Sequence, residues 1–180
     1  MTIQADDRSA FLGGITTAMQ KPARAGTLTR ITVILQSGER RHLATIADLF
    51  DFWHIATPQD LLKHLDSIAL LFIFHGTDGP HIGFAARTRD LDRARADILL
   101  WERSLVSDLA PLFFQHEIIL PEPPLFQDRT TLNIDWRFIP LSTREDIGIG
   151  SLVFQPKGIA VFTTSKDAIN HIINTLYDAR

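Results

Sequence analysis

Residues 69–87 read ALLFIFH, GTDGP, HIGFAAR, and the fold turns on how these three pieces are joined. Ala69 to His75 is an apolar run of strand length, rich in aromatic and branched residues. Gly76-Thr77-Asp78-Gly79-Pro80 supplies the residues that tolerate tight backbone turns, and His81 to Arg87 is a second strand-like run. Together they predict a β-hairpin. Beyond it, Leu91, Ala94, Ile98, Trp101, Leu105 and Leu109 recur every three or four residues, predicting one helix from about Asp90 to Leu109. Thr88 is its expected N-cap and Pro111 its stop.

The same pattern returns near the C-terminus. At an offset of 77 residues, Ile82 to Asp90 lies over Ile159 to Asp167. Each is a second hairpin strand entering a helix through a hydroxyl residue, a basic residue and an aspartate. Thr88 and Ser165 would accept orphan N–H groups, with Asp90 and Asp167 in the positive first turn. Either an internal duplication or the ordinary chemistry of strand-to-helix junctions accounts for the echo. The later strands fall at about Leu132–Ile139, Gly148–Gln155 and Gly158–Thr164, with Pro156-Lys157-Gly158 as a turn, and Ser165 to Tyr177 is helical.

Outward from this centre, Asp6–Gln20 and Thr45–Trp53 read as helices. Thr57-Pro58 opens another, with threonine as cap and proline in the first turn. Leu28 to Leu35 alternates as one strand, and Ser37-Gly38-Glu39 turns the chain. Phe113–Leu120 fits a short strand or a loop. The expectation is an α+β fold. An antiparallel sheet is built from two β-hairpin–α-helix units, with helices mainly on one face. It forms one domain over residues 1–180, with sub-units at about 27–112 and 126–180 joined by the stiff connector Pro121-Glu122-Pro123-Pro124.

Composition narrows the function classes. A chain of 180 residues with 45% hydrophobic and 22% charged residues can form a core unaided. It contains no cysteine, which excludes disulfides, thiol catalysis and cysteine-ligated zinc. Net charge is −3, and although arginine outnumbers lysine 14 to 4, acidic residues interleave with it. Nucleic acid is therefore not the expected partner. No apolar run approaches the length of a membrane helix, and MTIQADDRSAF lacks a signal-peptide pattern, so no membrane insertion by this chain is expected.

Three constellations bear on chemistry. His75, Asp78 and His81 form H-x2-D-x2-H across the hairpin turn. Two histidines flanking a turn, with an aspartate between, offer three ligands to a transition metal. Turn chemistry accounts for the same residues equally well. Glu102, beside the apolar stripe of the long helix, is a candidate buried acid, although an arginine partner explains it as simply. Gly148-Ile149-Gly150-Ser151 leads into a strand rather than a helix, so it fails as a dinucleotide fingerprint. His42, His54, His64, His116 and His171 are scattered, and Phe50, Phe52, Trp53, Phe72, Phe74, Phe113, Phe114 and Trp136 read as core. No catalytic residue and no cofactor is assigned.

The run from Leu99-Leu100-Trp101-Glu102-Arg103-Ser104 to Asp108-Leu109-Ala110-Pro111-Leu112-Phe113-Phe114 resembles a family of uncharacterised proteins from candidate-phyla bacteria. Ile147-Gly148-Ile149-Gly150 and Ile159 to Ser165 are similar to that family's C-terminal hairpin and helix start. The resemblance implies a shared architecture from about Gly26 onward and, since members typically carry an N-terminal membrane anchor, an extracytoplasmic location. This chain shows no such anchor. The family implies no activity. The leading expectation is a non-catalytic protein-interaction or scaffold module of a cell-surface assembly, with a protein partner. The alternative is a small-ligand or metal-binding protein using the hairpin end near His75 and His81.

Overall fold

The computed structural model describes residues 1–113, 116–119, 121–123, 125–143 and 146–178. Phe114 of the expected core, Leu120 at the end of the expected short strand or loop, and Pro124 of the expected connector lie outside them. The described chain is α+β, with antiparallel strands in one large sheet and a smaller sheet beside it.

The seven-stranded sheet runs β2 (Thr27–Ile31), β5 (Leu65–His75), β6 (Pro80–Thr88), β10 (Ile159–Ser165), β9 (Ile147–Phe154), β8 (Ile134–Pro140) and β7 (Gln127–Thr131). Every neighbouring pair is antiparallel. The two hairpins, β5–β6 and β9–β10, meet at its centre with Phe84 opposite Phe162. The smaller sheet is β1 (Thr2–Gln4), β3 (Ile34–Ser37) and β4 (Arg40–Leu43), with β1 parallel to β3.

Alternation along the central strands gives the sheet two apolar faces. On one, Leu71, Ile73, Phe84, Ile149 and Phe162 pack with α1 (Arg8–Met19), α2 (Ile46–Trp53), α3 (Gln59–His64), α4 (Leu91–Trp101) and α5 (Leu105–Leu109). On the other, Phe72, Phe74, Phe138, Leu152, Phe154 and Val161 pack with α6 (Lys166–Asp178) alone. Helices thus lie mainly on one face, with α6 the exception. A two-fold axis normal to the sheet would superpose one hairpin on the other, but it would put α4 and α6 on the same face. The order of hairpin and helix recurs, but the two helices pack on opposite faces.

Several boundaries differ from the sequence reading. Leu28–Leu35 is two strands. β2 pairs with β5 as far as Ile31, after which the chain passes through buried Val33 to β3 of the smaller sheet, where Leu35 is buried. The helix expected from Asp90 to Leu109 breaks after Trp101. The indole Nε1 of Trp101 donates to Asp108 Oδ2 at 2.7 Å. Seven residues of unbroken helix would separate these positions by about 10.5 Å along the axis. The cap of α4 is Asp90, whose carboxylate accepts from the Arg93 N–H, while Thr88 remains in β6. Pro58, not Thr57, occupies the N-cap of α3, and the Thr57 hydroxyl donates to the Ile55 carbonyl. Ser165 does cap α6, accepting from the Ala168 N–H at 2.9 Å. Strands β1, β4 and β7 add to those expected.

Candidate functional site

The β5–β6 hairpin decides where its three candidate ligands go. Its register pairs Phe74 with His81 and His75 with Pro80. His75 and His81 therefore project to opposite faces of the sheet, because successive side chains alternate. His75 is nearly buried and its Nε2 lies 3.0 Å from the Thr29 hydroxyl. Burial holds its pKa below the usual histidine value. It is no partner of His81.

His81 turns to the α6 face and is wholly buried. Its Nε2 lies 2.9 Å from Asp78 Oδ1 and 3.3 Å from Asp146 Oδ2. Asp146 stands just before β9, and its carboxylate also accepts from the Ser165 hydroxyl and the Asp167 N–H at the start of α6. One ligand atom from each of Asp78, His81 and Asp146 falls within 4.8 Å of the others. The sequence thus supplies two members of this cluster, and the third comes from the other hairpin. His116 stacks on the His81 ring at 5.2 Å and 7°, with its Nε2 3.3 Å from the Pro80 carbonyl. Among the described residues, Asp78 Oδ2 and His81 Nδ1 are buried without a hydrogen-bond partner. Burial, then the charges of Asp146 and Asp78, raise the Asp167 carboxyl above its ordinary value.

Glu102, the other ionisable candidate, follows the last turn of α4. It accepts from Arg137 Nε at 2.5 Å, and Arg137 also bridges to Asp128. The guanidinium borders an open groove of about 450 Å³, lined by Arg95, Leu99, Arg137, Ser151 and Gln155 among others. Trp101 is core. Gly148 and Gly150 lie in β9, where Ile139 and Ile169 approach too closely for a side chain.

Sequence inspection did not single out the third place. Arg30 lies on β2, the outermost strand of the large sheet, and has no ion pair among the described residues. Leu28 shares its strand face, and Leu70 lies diagonally across β5. Arg30 also lines a small cleft with Leu43 and Ile68. These four apolar side chains are 37–49% exposed. The opposite edge, β7, reads Gln-Asp-Arg-Thr-Thr and is almost entirely polar.

No helix among the described residues is long and apolar enough to cross a membrane. No protein-family model matches the chain, and neither a curated protein nor a solved structure matches it.

Proposed function

We propose that the chain is a non-catalytic protein-interaction module that takes an extended, apolar and acidic segment of a partner protein along β2. The observation that carries this reading is the gathering of Leu28, Leu43, Ile68 and Leu70 around Arg30 at a sheet edge. An unguarded edge offers backbone groups for a further strand, and flanking apolar side chains offer contacts for its alternate residues. Charged and polar residues discourage such pairing at β7. An arginine with no ion pair among the described residues, set amid apolar surface, selects a carboxylate in the incoming segment. The ion pair that Glu102 makes with Arg137 supports a structural rather than an acid–base role for that carboxylate.

Selection of displayed linear peptides on the purified chain tests the reading. Enriched sequences should alternate apolar and acidic residues, protect the β2 amides from exchange, and lose binding to Arg30→Glu and Ile68→Asp. A selection that enriches nothing sinks the reading, as do peptides that bind both variants as well as the unaltered chain.

A further inference from the structure

We infer that Asp78, His81 and Asp146 bind a divalent transition-metal ion of the zinc type. This site uses none of the residues of the proposed docking edge, so either assignment can fail alone.

The geometry supplies the argument. Three segments converge on one point: the β5–β6 turn brings Asp78, β6 brings His81, and the approach to β9 brings Asp146. A tetrahedral zinc ion about 2.1 Å from its ligands holds those atoms roughly 3.4 Å apart. The imidazole Nε2 is 2.9 Å and 3.3 Å from the two carboxylate oxygens. Shifts on the order of 1 Å would admit the ion. A single imidazole N–H can donate fully to only one carboxylate; Asp146 also accepts from the Ser165 hydroxyl and the Asp167 N–H, whereas Asp78 has no other hydrogen-bond partner among the described residues. Asp78 Oδ2 is also buried there without a hydrogen-bond partner among the described residues. That oxygen is a donor atom not consumed by the fold, and it points to a cation rather than to packing.

The ligand types select the ion. Calcium takes six to eight oxygens, whereas this set is small and includes an imidazole nitrogen. One nitrogen and two carboxylates suit zinc, cobalt or nickel, with water completing the shell. The Asp78 and Asp146 side chains are 20% and 15% exposed, which gives an ion a route to the buried His81.

The test is calorimetric titration of the chelator-treated full chain with zinc chloride, repeated with cobalt chloride to read visible d–d bands. One ion per chain should bind, moving the His81 ring nitrogen resonance. Asp78→Asn and Asp146→Asn should each weaken binding by more than about tenfold, since losing even an outer-shell partner of a metal ligand costs that much. The Asp146→Asn change retains a carbonyl oxygen for the Asp167 N–H, and Asp78 lies in a partly exposed turn, so at least one of the two variants tests a folded chain. His75→Ala should bind as the unaltered protein does. The assignment is overturned by a folded chain that takes up no stoichiometric metal, by binding that survives both asparagine changes, or by binding that depends on His75.

Discussion

The carboxylate of Glu102 and the guanidinium of Arg137 join the end of α4 to β8, with Nε donating at 2.5 Å. Burial raises the Glu102 carboxyl above its ordinary 4.5, and Arg137 offsets only part of that rise. A folded-state value above the unfolded one means the folded chain holds the proton to higher pH. The Glu102 contribution is therefore fully present below about pH 4.5 and is lost as pH climbs through the raised value. Glu102→Gln, which resembles the protonated side chain, should stay within about 1 kcal/mol of the parent at pH 7. Glu102→Ala should cost about 1–3 kcal/mol by removing the carboxylate that meets Arg137 Nε, leaving Asp128 as its remaining ion-pair partner. Urea unfolding at a series of pH values should show a shallower decline for the glutamine variant. Equal slopes would contradict the account.

At the start of α4, Asp90 Oδ1 accepts from the Arg93 N–H at 3.1 Å, while Thr88 lies in β6 and donates its own N–H to the Gly158 carbonyl. Asp90→Ala should therefore destabilise the protein by about 1 kcal/mol. Thr88→Val keeps a branched strand residue and should change stability by less than about 0.5 kcal/mol. Chemical unfolding followed by circular dichroism separates the two, and the reverse order would return the cap to Thr88.

What the sequence made legible was local. The β5–β6 hairpin is written into Gly76 to Pro80, and α6 into Ser165 and the spacing of Ile169, Ile172 and Ile173. What it hid was decided by distant partners. The face on which a helix lands depends on which strand residues it covers, and Phe84 and Phe162 share a face although the echo aligns Phe84 with Val161. Polar β4 and β7 lack an apolar alternation because they pair at sheet edges and bury little. The candidate ligands at the hairpin turn were half visible. His75 and His81 look equivalent until strand parity separates them, and Asp146 joins only through the pairing of β10 with β6 and β9.

His75 gives a second pH signature, of opposite sign. Burial lowers its pKa from the ordinary 6.5. The folded chain then binds fewer protons than the unfolded chain between the two values, so stability is present above about pH 6.5 and falls as pH drops toward the lowered value. His75→Gln, with an amide able to reach the Thr29 hydroxyl, should remove this component. Thermal unfolding of the two proteins between pH 7 and pH 5 should converge toward the acid end. Parallel curves would show that His75 does not titrate as its burial requires.

Gly83 is a tight point near the centre of the sheet. A Cβ there would run into the Phe72 ring and lie 2.7 Å from the Phe162 carbonyl oxygen. The ring can move, but the carbonyl belongs to the neighbouring strand β10 and cannot move without disturbing its pairing. Gly83→Ala should therefore destabilise by about 3 kcal/mol, the upper part of the overpacking range. Phe72→Leu shortens the side chain on one side of the clash and should reduce, without abolishing, the cost of the alanine. A double-mutant cycle on unfolding free energies reads this coupling directly. Strict additivity would mean that the ring is not what excludes a side chain at Gly83, leaving the backbone of β10 as the whole obstacle.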